Sequence, residues 1–360
     1  MEFKFADRVK NLNPSAIREI LKYAADPEVV SLSAGNPAPE AFPVADIAEI
    51  SARILKERPI DVLQYSTTEG YEPLRRRITG YMKQKHNIGR ESDNILITAG
   101  AQQIVELAAK VLCNAGDVVI CEAPSFIGSL NSFRSIGGRL VGVPMENDGM
   151  NMDALEAALK QNPTAKFIYT IPNFQNPSGI TMSMEKRRRL YEIARRYDVV
   201  IVEDNPYGDL RFEGGHVPAV KSLDEDGRVV YAGSFSKVLA PGIRVGYAIA
   251  PKPLLQKMVV CKQGEDVHTA MWSQIICDEY MGGCDFEAHL DDLRSIYRKK
   301  ARLMLSLIEE HLVPHGITYA PTQGGLFVWC RLPDGVDMPS FCKCAVIEWW
   351  MKASPARIFV

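Results

Sequence analysis

Between residues 95 and 231 the chain alternates short apolar runs with stretches of helical period, and few architectures accept that pattern. The runs fall at 95–98, 118–121, 139–143, 166–170, 199–202 and 229–231. Helical stretches at 103–111, 125–136, 152–160 and 184–196 lie between most of them. Strands that are apolar on both faces belong in a mostly parallel sheet covered by helices on each side, an α/β architecture. In such sheets ligands bind in the crevice outside the carboxyl ends of the strands.

The regions flanking that core read differently. Residues 14–24 are expected to be helical, 29–33 a short strand and 34–39 a loop, followed by helices at 44–56 and 73–85 with irregular chain at 63–70. The pattern shifts near residue 264. Helical stretches are expected at 264–282 and 285–311, then an antiparallel hairpin from 317–319 and 326–332, as in a small α+β domain. At 360 residues and 46% hydrophobic, the chain is long enough for a large core and more than one domain.

Charge narrows the function classes. With 42 basic and 44 acidic side chains the net charge is −2, which favours neither nucleic acid nor a membrane surface. The first eight residues lack the apolar core of a signal peptide, and no run approaches the roughly 20 apolar residues that span a bilayer. Of the eight cysteines only Cys342 and Cys344 lie close together, and there is no C-x-x-C pair. They read as reduced thiols of a cytoplasmic protein. The six histidines form no ligand-spaced pair, so no metal site is expected.

Chemistry-bearing residues recur at the expected strand ends. Gly100-Ala101-Gln102 opens a helix after the first strand, and free N–H groups at a helix N-terminus suit a phosphate. Phe126, after the second, is a flat aromatic. Asn176 follows the 166–170 strand, and Asp204 and Tyr207 follow 199–202. The last run leads into Gly233-Ser234-Phe235-Ser236-Lys237, with Arg244 seven residues beyond the lysine. Each has an ordinary explanation taken singly. Lys237 alone reads as a surface lysine, Asp204 as a helix cap, Tyr207 as core and Gly100 as a tight corner. The ordered set at successive strand ends is far harder to explain that way.

These stretches resemble the class I/II aminotransferases, pyridoxal-5′-phosphate (PLP) enzymes of fold type I. The similarity is to the branch holding 2-aminoadipate and kynurenine aminotransferases and the MocR-type regulators. It rests on SAIREIL (15–21), SLSAGNPAPEAFP (31–43), LQYSTTEGYEPLR (63–75), ITAGAQQ (97–103), PNFQNPSG (172–179), VEDNPYGDLRF (202–212) and SFSKVLAPGIRVGY (234–247). It implies a large PLP-binding domain at 41–275 around a mostly parallel seven-stranded sheet. An N-terminal arm (1–40) and a smaller α+β domain (276–360) accompany it.

The resemblance also implies roles. Lys237 would join the cofactor as an imine and shuttle the proton between substrate and cofactor carbons. Asp204 would pair with the pyridine nitrogen, Asn176 and Tyr207 would bond the ring oxygen, and Phe126 would stack on the ring. Gly100, Ala101, Gln102, Ser234, Ser236 and Arg244 would cradle the phosphate. Tyr65 would reach the phosphate of a neighbouring subunit, implying a homodimer with shared sites. Gly35, Asn36, Asn176 and Arg18 would lie near the substrate, although Arg18 reads equally as a solvated helix arginine.

The implied activity is ping-pong transfer of an amino group between an L-amino acid and a 2-oxo acid. The resemblance ends after about Glu348, where relatives continue to an arginine that clamps the substrate carboxylate. Arg357, the only arginine after Arg331, does not match that motif. A truncated or altered tail is therefore expected. A PLP-dependent lyase or decarboxylase, or an inactive PLP-binding remnant, stands as the alternative.

Overall fold

The computed structural model describes residues 3–6, 9, 30, 31, 35–337, 340, 341, 351 and 352. The helix expected at 14–24 lies outside them. The described elements run β1 (Val30–Ser31), α1 (Val44–Glu57), α2 (Pro59–Leu63), α3 (Glu72–His86), β2 (Asp93–Thr98), α4 (Ala101–Leu112), β3 (Val118–Ala123), α5 (Ile127–Ser135), β4 (Arg139–Glu146) and β5 (Gly149–Met150). They continue with α6 (Met152–Gln161), β6 (Ala165–Thr170), α7 (Met184–Arg196), β7 (Val200–Asp204), β8 (Val229–Ser234), β9 (Gly246–Pro251), α8 (Lys252–Gln263), α9 (Met271–Gly283) and α10 (Phe286–His311). Short strands β10 (Thr318–Tyr319), β11 (Cys330–Arg331) and β12 (Met351–Lys352) follow.

The main sheet has the order β2-β9-β8-β7-β6-β3-β4-β5. Neighbours from β8 through β4 are parallel, while β9 runs antiparallel between β8 and β2. The six runs read as strands are present and β9 makes the seventh of the sheet, while the two-residue β5 adds an eighth by folding back on β4.

Strand period explains the layers, because alternate residues face opposite sides. Leu96, Val119, Phe167, Val202 and Val230 face one side and are covered by Ile104, Leu107 and Ala108 of α4, Phe133 of α5 and Met258 of α8. On the other side Ile97, Tyr231 and Ile249 meet Ile54, Ile78, Ile275 and Leu290 of α1, α3, α9 and α10. Further along that same face, Ile120, Ile168 and Ile201 meet Leu155 of α6 and Leu190 of α7. Several helices start on side-chain caps, Asn151 for α6, Ser183 for α7 and Asp285 for α10.

Three sequence expectations need correction. β9 and α8 were not foreseen, because Gly246-Tyr247-Ala248-Ile249-Ala250-Pro251 is short, rich in small residues and bounded by Gly and Pro. The helix expected at 264–282 begins only at Met271, since the chain turns through 264–270 with Val267 at φ +63°. Of the strand expected at 326–332 only Cys330–Arg331 pairs, antiparallel to Thr318–Tyr319.

Candidate active site

The carboxyl ends of β2, β3, β6, β7 and β8 share one edge of the sheet, and β9 begins at that same edge because it runs the other way. Gly100 leaves β2 at φ +88° and starts α4, whose first turn, Ala101 and Gln102, has no carbonyl four residues back to bond. Only glycine fits here. A Cβ at residue 100 would strike the Arg244 guanidinium, and one at Gly246 would lie 2.8 Å from the Ala101 nitrogen. Close approach of β9 to the helix start thus goes with an Arg244 guanidinium packed beside Gly100. Arg244 Nη2 donates to the Ala99 carbonyl at 2.9 Å and Nη1 to Ser236 Oγ at 3.4 Å. Ser234 Oγ accepts from the Ser236 N–H at 3.1 Å. One guanidinium, two hydroxyls and a helix N-terminus therefore face one small space, a donor set suited to a phosphate.

Lys237 lies three residues past the end of β8. Its Nζ donates to the Gly35 carbonyl at 2.9 Å. Burial, helped by the nearby Arg244 charge, pulls the amine down to about 8. It is therefore closer to the neutral, nucleophilic form than a surface lysine. Gly35 sits at φ +56°, and a Cβ there would lie 2.5 Å from the tip of the Phe327 ring. Phe327 in turn meets Tyr207 edge-on, with centroids 5.5 Å apart. The Tyr207 hydroxyl accepts from Asn176 Nδ2 at 3.4 Å.

Asp204, the last residue of β7, is 4% exposed. Its Oδ2 accepts a 2.8 Å hydrogen bond from the Tyr169 phenol, which accepts from Ser129 Oγ at 2.8 Å. Its Oδ1 is buried with no hydrogen-bond partner among the described residues. Burial raises this carboxyl to about 6, with the Tyr169 hydrogen bond working against the rise. An unsatisfied buried carboxylate oxygen is costly unless a donor is supplied from outside the chain. A protonated pyridine nitrogen is such a donor, so Asp204, Lys237 and the phosphate-type cradle together fit PLP.

The remaining expected residues are less tightly held. Phe126 is half-buried at the start of α5, where a Cβ on Gly128 would lie 2.6 Å from its ring. The Gln102 side chain donates to Gly128 O and Ser132 Oγ, leaving its backbone facing the cradle. Tyr65 is 80% exposed, its ring edge-on to His268 at 5.8 Å. Asn36 is exposed beside Gly35. Arg18 and Arg357 lie outside the described residues.

Several supporting residues were missed from sequence. Tyr169 and Ser129 hold Asp204. Arg187, fully buried, donates to the carbonyls of Pro172, Met182, Val217 and Pro218 and to Asn173 Oδ1, clamping both ends of the loop that carries Asn176. Asn173 donates to Asn205, and Asn205 to the Tyr231 phenol, joining that loop to β8. A signal existed for Arg187, which falls on the apolar face of α7. A broad depression lined by Arg90, Glu91, Ser92 and Glu225 lies at the opposite edge, where β2 and β8 begin, and holds none of these groups.

Comparison with known proteins agrees with this geometry. The family model described as "Aminotransferase class I and II" matches residues 27–347. The chain is 39% identical over 348 residues to aromatic-amino-acid aminotransferase 1 of Thermococcus litoralis, covering 96% of this chain and 83% of that protein. It superimposes with a TM-score of 0.94 on Pyrococcus horikoshii kynurenine aminotransferase, solved with PMP and kynurenine, at 34% identity and 99% and 88% coverage of the two chains. LysN, the α-aminoadipate aminotransferase of Thermus thermophilus complexed with N-(5′-phosphopyridoxyl)-L-leucine, gives 0.91 at 37% identity, covering 99% of this chain and 88% of that one. With a match of this extent over the whole described fold, the chain belongs to the class I and II aminotransferases and is a PLP-dependent enzyme of that family.

Proposed function

We propose that the groups gathered at the carboxyl edge are the working parts of this aminotransferase. The observation that carries the assignment is the buried Asp204 carboxylate, one oxygen committed to Tyr169 and the other without a partner among the described residues. When bound, PLP supplies an electron sink for the charge released as a substrate Cα–H bond breaks. Asp204 keeps the ring nitrogen protonated. Lys237 would hold the cofactor through its Nζ, and the same nitrogen would carry the proton to and from the substrate α-carbon. Its lowered affinity for protons suits both tasks. Asn176 and Tyr207 would donate to the ring oxygen, and Phe126 would cover a ring face. Gly100, Ala101, Gln102, Ser234, Ser236 and Arg244 bind the phosphate.

Gly35, Asn36 and Asn176 lie on the substrate side in this reading, and Arg18 is a further substrate contact we propose. Tyr65 is too exposed to serve its own protomer's site and is proposed to reach the phosphate of a second copy, which makes the enzyme a homodimer. We propose an N-terminal arm at 1–40, a large domain at 41–275 and a small domain at 276–360. The described cysteines are unpaired, in keeping with a cytoplasmic enzyme, and no described helix is long and apolar enough to cross a membrane. Aromatic amino acids and 2-aminoadipate are the proposed donors, by similarity to the relatives above.

The test is spectroscopic. Purified protein mixed with PLP is expected to show a visible imine band that Lys237→Ala lacks, and aromatic amino acids or 2-aminoadipate are expected to bleach it. Equal spectra for the two proteins would overturn the assignment of Lys237. A loss of the band caused only by branched-chain or small donors would overturn the donor class.

A further inference from the structure

Glu122 is a carboxylate near the carboxyl end of β3, 1% exposed, with no ion-pair partner among the described residues. Burial, the largest influence, and the neighbouring Asp204 charge raise it to about 7. A buried carboxylate without a cation is expensive. An apolar side chain would be cheaper unless the acceptors are needed.

The acceptors join separate segments. Oε1 accepts from Thr170 Oγ1 at 2.6 Å, and Oε2 accepts from the Ile171 N–H at 3.2 Å and Gln175 Nε2 at 3.1 Å. Gln175 Nε2 also donates to the Pro124 carbonyl at 2.8 Å, and its Oε1 accepts from the Ser178 N–H at 2.8 Å. The Gln175 backbone closes the same loop by donating to Ile180 O at 2.9 Å and accepting from Gly179 N at 2.6 Å. Pro124 is two residues before Phe126, and Gln175 is next to Asn176.

We propose that Glu122 is a positioning residue of the active site: acting through Gln175, it holds the loop that carries Asn176 against the loop that carries Phe126. The inference rests on the site reading above. Glu122 sets the reach of the Asn176 amide toward the ring oxygen of bound PLP without itself touching the cofactor. Glutamine at 122 keeps one oxygen for Ile171 and Gln175, and the Thr170 hydroxyl can turn to accept from its amide. Alanine removes every acceptor.

The experiment is a pH titration of the visible absorbance of PLP-loaded protein, with melting temperature measured beside it. A donor on the ring oxygen competes with the nitrogen-borne proton for that oxygen. Loosening Asn176 therefore moves the midpoint upward, by about one pH unit for Glu122→Ala and Gln175→Ala. The double variant is expected to match the larger single change, because both act along one chain of contacts. Glu122→Gln is expected to stay within a few tenths of a unit of wild type. A folded Glu122→Ala protein with an unchanged midpoint and only a lower melting temperature would overturn the proposal. If that variant does not fold, an unchanged midpoint in Gln175→Ala overturns it equally. Wild-type protein that shows no visible band with PLP defeats the site reading, and this proposal with it.

Discussion

The Tyr169 phenol donates to Asp204 Oδ2 at 2.8 Å while Oδ1 of the same carboxylate has no partner among the described residues, so one tyrosine holds the carboxylate in place and leaves its other oxygen open. Removing the hydroxyl with Tyr169→Phe takes away the contact that lowers the Asp204 pKa. Asp204 then ionises less readily and pairs less well with a protonated ring nitrogen. The expected result is a loss of about 1.5–3 kcal/mol in cofactor affinity, the usual worth of a hydrogen bond to a charged group. Equilibrium dialysis of PLP from pH 6 to 8 measures it, and wild-type affinity throughout would show that Tyr169 only fills space.

Asp204 also makes the cofactor-free protein sensitive to pH. Its carboxyl is raised from 3.8 to about 6 on folding. Between those values the folded state binds more protons than the unfolded state, so stability falls as pH rises through this window. The contribution is fully present below about 4 and lost above about 6. Asp204→Asn removes this dependence, and at pH 8 the apoprotein is expected to gain up to about 3 kcal/mol, the 2.2-unit shift converted at 1.36 kcal/mol per unit. Urea melts of both apoproteins at pH 4.5 and 8 test this, and the same variant is expected to lose PLP.

The α/β framework was legible because its strands are uninterrupted apolar runs and its helices carry a clear 3.6-residue period. The strand at 246–251 was not, since Gly246, Ala248 and Ala250 are too small to signal burial, though all are buried. Small residues are what the location requires, with β9 pressed against the start of α4. Among site residues, Lys237, Asp204 and Arg244 stood out by type and order at strand ends. Tyr169 and Phe327 did not, because an aromatic in an apolar run looks like core until its hydroxyl or ring edge is located. Tyr65 was readable as a motif residue, and its exposure is accounted for only by the second protomer proposed above.

Lys237 and Arg244 are coupled through charge. Lys237 is held near 8, below its ordinary 10.5, first by burial and then by Arg244. Between 8 and 10.5 the unfolded chain binds more protons at this lysine, so its contribution makes stability rise with pH there. Capture of PLP by the apoprotein needs the neutral amine and is expected to accelerate with a midpoint near pH 8. Arg244→Gln removes the neighbouring charge, so the midpoint is expected to move upward, and phosphate affinity falls by at least tenfold. Stopped-flow absorbance between pH 6.5 and 9.5 reads both, and a midpoint that does not move would remove Arg244 from the account of lysine activation.

Gly35 offers a sharper test of how the mouth of the site is built. It combines φ +56° with a Cβ position 2.5 Å from the Phe327 ring tip, and its carbonyl receives the Lys237 amine. Gly35→Ala therefore carries two penalties. A left-handed alanine costs about 1–2 kcal/mol, and forcing the ring aside costs about 1–3 kcal/mol. Displacing Phe327 also disturbs its edge contact with Tyr207. Phe327→Leu shortens the side chain and should relieve the second penalty but not the first. In the double variant the two changes are expected to be non-additive by about 1–3 kcal/mol in the favourable direction, measured by denaturant unfolding. Strict additivity would mean that backbone strain alone accounts for the glycine and that the ring contact does not shape the site.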